Sequence, residues 1–263
     1  MPSFPGACVT PGVNSYDNPV GALRHLWHHE TGDPRTMEVQ TMAFTVRPAT
    51  QADIPDLARL IVELYQAEMP GALTGPVEKQ IELLRFTLEA NGDRAVHHRY
   101  VLCNECGMVI GTGMIECPGN GRFERAPNGT VATAFRTLGV FPALRLFGTV
   151  ARTLFGVYHH TDPQSALIHT VVVTRSERSN GAGAVLMHAL ESAIREFGYT
   201  RARLQVLAWN TGAQRFYERL GYTTIWRLSG WRAMLSWPSV VMEKVLEDCQ
   251  GSERFSTMPV SSG

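Results

Sequence analysis

Residues Val171–Gly183 read VVVTRSERSNGAG and run directly into AVLMHALESAIREFG. A β-branched run meets a short polar loop, and the loop ends on Arg178, Ser179, Asn180, Gly181, Ala182 and Gly183 before a stretch with helical apolar spacing. That order predicts a strand, a glycine turn and a helix. Glycines at such a junction leave backbone N–H groups bare at the positive end of a helix, where an anion meets no Cβ. The stretch reads as a phosphate cradle.

Its spacing separates the familiar cradles. A Walker loop needs Gly-Lys-Ser/Thr, but Ala184 and Val185 follow Gly183. A dinucleotide fingerprint needs a further glycine where Leu186 stands. What remains is Arg178-x-x-Gly181-x-Gly183. Downstream, Arg203–Ala208 reads as a strand, and Asn210 suits the N-cap of a short helix, TGAQRFYERL, closed by Gly221. That segment carries Asn210-x-x-Ala213-x-x-Phe216-Tyr217-x-x-x-Gly221-Tyr222. The two patterns, in this order and one strand apart, resemble the paired signatures of the GNAT superfamily of N-acetyltransferases. The resemblance covers residues 43–116 and 166–246, with its sharp motifs within 169–222.

The flanking chain fits that order of elements. Phe44–Arg47 alternates as a strand, and Asp53–Gln66 carries a helical stripe at Ile54, Leu57, Leu60, Ile61 and Leu64. Glu78–Glu89 repeats the helical pattern. Arg99–Cys103 and Met108–Glu116 read as hairpin arms, and Ile225–Arg227 and Ser239–Val245 as a terminal antiparallel pair. The helix after the cradle is expected to bury Val185, Leu186, Ala189, Leu190, Ala193, Ile194 and Phe197. The fold class is α/β (α+β), a GNAT-like mixed central sheet flanked by helices, with a helical insertion between strands 3 and 4.

Composition bounds the partners. The 263 residues carry no net charge, so no global field favours nucleic acid or an acidic membrane. Five cysteines without framework spacing suit a reducing, cytoplasmic setting. Cys103-Asn-Glu-Cys106 lacks a second ligand pair and reads as a hairpin turn, so no metal is expected. Residues 1–42 show no period and no secretory pattern, and are expected to be a disordered extension that includes His25, His28 and His29. The domain is expected to span 43–246, with a disordered tail at 247–263.

Residues 117–165 form the insertion. Its second half, VATAFRTLGVFPALRLFGTVARTLFGVY, is strongly apolar, with three arginines and no acid. Pro142 suits a first helical turn, and Leu144, Phe147, Val150, Ala151, Leu154 and Phe155 then form one stripe. Arg136, Arg145 and Arg152 break every charge-free run, so no integral membrane segment is expected. Three readings stand: a helix over the acceptor pocket, where the family places this connection, a membrane-surface helix, or a homodimer contact.

The resemblance implies acetyl-CoA as co-substrate. Its pyrophosphate would lie on Arg178, Ser179, Asn180, Gly181, Ala182 and Gly183, and its pantetheine arm would pair with Val171, Val172 and Val173 where two strands splay apart. Asn210 belongs to the same binding set. Tyr217 matches the family's tyrosine near the thioester sulfur and would protonate the departing thiolate; its alternative is to pack against Tyr222 and seal the helix end. His169 matches one of two active-site histidines of the arylalkylamine N-acetyltransferases, while Leu167 replaces the other. Alternation would set His169 on the face of Val171 and Val173, as the base or as a structural residue, with Glu116 as the alternative base. The expected reaction is acetyl transfer to a primary amine of a small molecule in a ternary complex, since residues 169–222 hold no cysteine for an acyl-enzyme. Protein N-terminal or lysine acetylation, and a catalytically silent acyl-CoA-binding module, are the alternatives. Valine at Gly181 or Gly183 should block the pyrophosphate and leave the fold mostly intact.

Overall fold

Ser165–Val173 is apolar at most positions because helices cover both faces of the strand it forms. The structure is a computed structural model that describes residues 44–69, 71–118, 127–154, 162–228 and 236–246, within the unit Phe44–Gly263. The expectations for 1–42 and for 247–263 lie outside the described residues.

In chain order the elements are β1 (Thr45–Pro48), α1 (Ile54–Glu68), α2 (Val77–Asn91), α3 (Asp93–Val96), β2 (Arg99–Cys103) and β3 (Val109–Glu116). The insertion supplies α4 (Thr130–Leu138) and α5 (Val140–Leu154). There follow β4 (Ser165–Val173), α6 (Ala182–Glu196), β5 (Arg201–Leu207), α7 (Thr211–Arg219), β6 (Thr223–Arg227) and β7 (Ser239–Val245). The strands make one sheet in the order β1-β2-β3-β4-β5-β7-β6. β4 and β5 pair in parallel, and every other neighbouring pair is antiparallel.

The apolar stripe of α1 does what its spacing predicts: Ile54, Leu57, Leu60 and Ile61 pack on one face of the sheet with Val101 and Val172. On the other face α6 buries Leu186, Leu190, Ala193 and Ile194. Two expectations for α6 fail. Val185 is exposed because it lies on the far side of the helix from the arc that meets the sheet, and Phe197 because it stands past the last helical turn, with its ring 4.6 Å from that of His98, while Met187 is buried and Ala189 half-buried.

Two irregularities shape the centre. β3 and β4 slip register between Thr112 and Met114, so Thr170 and Val171 together stand opposite Gly113. Thr170 takes a positive φ of 56° to make this bulge. Beyond it the β4–β5 ladder stops: Ser165–Ile168 pairs with Arg201–Leu204, and His169–Val173 has no partner on β5. The strands part at the bulge.

The insertion folds onto α2, where Leu83, Ala134 and Ala143 form a small separate core with Phe135 and Phe147 beside it. The expected stripe on α5 is corrected. Phe147 packs inward, but Leu144, Val150 and Ala151 are exposed, because the contact with α2 and α4 runs through Ala143, Leu146 and Phe147. The Leu154 side chain and Phe155 lie outside the described residues.

Candidate active site

The cradle sits at the mouth of the gap between β4 and β5. Ser179 and Gly181 both take positive φ, 74° and 82°, and this turns the chain from β4 into α6. Nothing lies within 4 Å of the point where a Cβ on Gly181 would stand, so the backbone there is open. Gly183 differs: a Cβ would come 3.2 Å from the ring of Phe216 on α7. Its smallness lets α6 and α7 approach, so the expectation that valine at Gly183 spares the fold is withdrawn. Ala182 is buried as the first residue of α6, while Arg178, Ser179 and Asn180 are exposed.

Val171 and Val173 face α6, and Val172 faces α1. Arg178 folds back across the mouth, donating from Nε to the Val173 carbonyl oxygen at 2.9 Å and from Nη2 to Glu63 at 3.3 Å. Glu63 on α1 also accepts from the Arg175 backbone N–H at 3.0 Å and the Thr174 hydroxyl at 3.3 Å. Sequence reasoning missed this carboxylate, which pins the loop from below. It lies off the apolar stripe of α1 and reads as solvated.

Asn210 works at both ends of its side chain. Its Oδ1 accepts from the Ala213 N–H at 3.1 Å and caps α7, while its Nδ2 donates to Glu68 at 3.3 Å. Glu68 ends α1 half-buried beside the mouth. Burial raises its pKa, against the Asn210 hydrogen bond and the Arg178 charge. Tyr217 is buried between Phe216 and Tyr222, with ring centroids 5.1 and 5.8 Å away, and its carbonyl accepts from the Tyr222 N–H at 3.0 Å. Burial, and then the Glu68 charge, push its phenol above its ordinary range.

His169 is not on the face of Val171 and Val173. The extra residue at Thr170 reverses the alternation, so His169 shares the α1 face with Val172 and with its β3 partner Met114. There its Nε2 lies 3.9 Å from a carboxylate oxygen of Glu116, and its Nδ1 lies 2.9 Å from the Thr170 hydroxyl. The two candidate bases thus form one group, with the histidine side chain 36% exposed and the glutamate 17%.

The insertion ties together two connections that are distant in sequence. Arg145 Nε donates to the Gly71 carbonyl oxygen at 2.6 Å, in the α1–α2 connection. Arg152 donates to the Ser236 carbonyl oxygen from Nε at 3.3 Å and Nη2 at 3.2 Å, and its guanidinium lies 4.2 Å from the Trp237 ring centroid. Among the described residues no group of three or more His, Cys, Asp or Glu is placed to hold a metal, and no helix is long and apolar enough to cross a membrane.

A mixed sheet parted at a bulge, with an open glycine cradle at the mouth, is the arrangement the two sequence motifs imply, and the comparisons supply the family. The profile described as Acetyltransferase (GNAT) family matches residues 61–222. The chain belongs to the GNAT acetyltransferase family and is an acyltransferase. Comparison with curated proteins finds no match. Among solved structures, one described as an acetyltransferase is 20% identical, with 77% of this chain and 100% of that one covered at a TM-score of 0.50. A histone acetyltransferase HPA2 and related acetyltransferase from Corynebacterium glutamicum is also 20% identical, with 80% and 100% covered at 0.50. An N-acetyltransferase from Staphylococcus aureus Mu50 is 15% identical, with 76% and 100% covered at 0.50. At these identities the likeness speaks for the fold alone.

Proposed function

We propose that the protein transfers an acetyl group from acetyl-CoA to the primary amine of a small molecule in the cytoplasm, without a metal, by direct attack in a ternary complex. The observation that carries this is the end of the β4–β5 ladder beside the open cradle. The backbone of Arg178–Gly183, at the start of α6, supplies donors for a pyrophosphate. The freed edge of Val171–Val173 supplies strand-like pairing for an extended arm, once Arg178 releases the Val173 carbonyl. Asn210 holds the opposite wall by capping α7.

Attack forms a bond from the amine nitrogen to the acetyl carbon and breaks its bond to sulfur. The ammonium form must first lose a proton, which passes to the His169–Glu116 group. The departing thiolate takes a proton, or a hydrogen bond, from Tyr217. The tethers of α5 to Gly71 and Ser236 brace the acceptor side and favour a compact acceptor over a protein surface.

The test combines an amine panel read by mass spectrometry with calorimetric titration of CoA into the wild type and Gly181→Val. The variant places a branched side chain in the open cradle, at a φ that L residues resist. CoA affinity should fall at least about tenfold, or 1.4 kcal/mol. Unchanged CoA binding by the folded variant would remove the donor assignment, and failure of every amine to be acetylated would remove the acceptor assignment.

A further inference from the structure

Arg99 opens β2 and points across the sheet beneath α1, and among the described residues it is a buried charge whose surroundings do not account for it. The residue is 6% exposed. Its Nε donates to the Ala95 carbonyl oxygen at 2.9 Å, and its Nη2 is 3.2 Å from the Met114 sulfur. Its Nη1 is buried and has no acceptor at all. Burial pulls its pKa down to about 10, with the Tyr65 phenol the opposing influence, so the group stays charged at neutral pH. A buried guanidinium with one empty N–H edge and a thioether on another is far from satisfied, because sulfur is a weak acceptor for a charged donor. Asp53 and Glu191, by contrast, are buried carboxylates that each face a cation, at 2.7 Å in both cases.

The position of this charge matters. Arg99 pairs with Met114, and Met114 pairs with His169, so the three form one row on one face. Two strand spacings put the backbones of Arg99 and His169 about 10 Å apart, and the arginine side chain covers much of that distance. Glu116 lies two residues beyond Met114 on the same face. Met114 thus separates an unsatisfied cation from the proposed amine-deprotonating group. It is partly exposed, and its three flexible torsions let it move aside at little cost.

We infer that the acceptor carries a carboxylate as well as its amine, and that Arg99 receives that carboxylate once Met114 swings away. The inference rests on the amine-acetylating reading above and names its substrate class: small amino carboxylates. A carboxylate offers two oxygens to the guanidinium edge formed by Nη1 and Nη2, replacing a thioether contact with a charge-assisted pair. The amine of the same molecule then lies toward His169 and Glu116.

The test is a paired panel: the common α-amino acids, β-alanine and 4-aminobutyrate, each against the amine that lacks the carboxylate, with acetyl-CoA and the full chain. The wild type should acetylate at least one amino carboxylate with kcat/KM about thirtyfold or more above its partner amine. Arg99→Gln should bring that pair within about threefold, chiefly by raising KM for the acid, with CoA affinity unchanged and the loss on the plain amine at least about tenfold smaller than the loss on the acid. Equal use of both members by the wild type overturns the inference while leaving the acetyltransferase reading intact. So does an Arg99→Gln variant that loses both members by the same factor, since a purely structural arginine would behave that way. Should the variant fail to fold, the wild-type preference still decides. CoA binding with no member of either set acetylated overturns the small-amine reading and this inference together.

Discussion

Tyr217 sits where two roles meet. Its ring packs against Phe216 and Tyr222, and its hydroxyl lies in a buried setting near the Glu68 carboxylate. Both influences hold the proton on the phenol more firmly than in water. Such a group is a poor source of a fully transferred proton but a good hydrogen-bond donor to a sulfur gaining negative charge. Tyr217→Phe keeps the ring and deletes the donor. Turnover is expected to fall about 10²-fold with the Michaelis constant for the donor little changed, read by steady-state kinetics with a good acceptor. Unaltered turnover would reduce Tyr217 to a packing residue. Gly183 makes the parallel point: it is half of the cradle's signature, yet its smallness also serves the ring of Phe216.

At the scale of elements, much of the fold was legible. Apolar spacing located α1 and α6, because each has a one-sided apolar pattern, while the β2–β3 hairpin, apolar on both faces, was marked by the polar turn between its arms. The faces of the central strand were not legible. The bulge turns on Thr170, a β-branched residue at a φ of 56°, where composition offers no glycine or asparagine as a signal. One inserted residue moved His169 to the other face and beside Glu116. Glu63, Glu68 and Arg99 were missed for a related reason: periodicity locates what a helix or strand buries, and these residues act across distant elements. The same limit misplaced the α5 stripe, since spacing reports an apolar arc but not which neighbour it meets. What α5 does is written in its arginines. Arg145→Ala with Arg152→Ala removes both tethers and leaves the packing of Ala143 and Phe147 in place. The acceptor KM is expected to rise about tenfold, some 1.4 kcal/mol, with calorimetric CoA affinity unchanged. A parallel loss of CoA affinity would mean that α5 supports the whole cleft and not its acceptor side.

For the molecule as a whole, the edge of the sheet is fastened to the first helix by one carboxylate. Asp53 stands in the turn before α1 and accepts from Arg47 of β1 at 2.8 and 2.7 Å, and from the Thr50 N–H and hydroxyl at 2.7 and 2.9 Å. The Arg47 hydrogen bond is the largest influence on it and, with those of Thr50, outweighs burial, so its pKa drops from 3.8 to about 2. A carboxyl group depressed in the folded state contributes its stability above the unfolded pKa and loses it as pH falls toward the folded one. The shift corresponds to about 2 kcal/mol at neutral pH, a figure that the exposure of Arg47, 41%, reduces. Asp53→Asn keeps the size and removes the charge. Urea midpoints for wild type and variant should differ by a constant amount from pH 7 down to about 5, and the gap should close as pH falls through the range from 3.8 to about 2. A gap that stays constant through that range would show that the geometry of the turn, and not the charge of Asp53, holds β1 to the body of the domain.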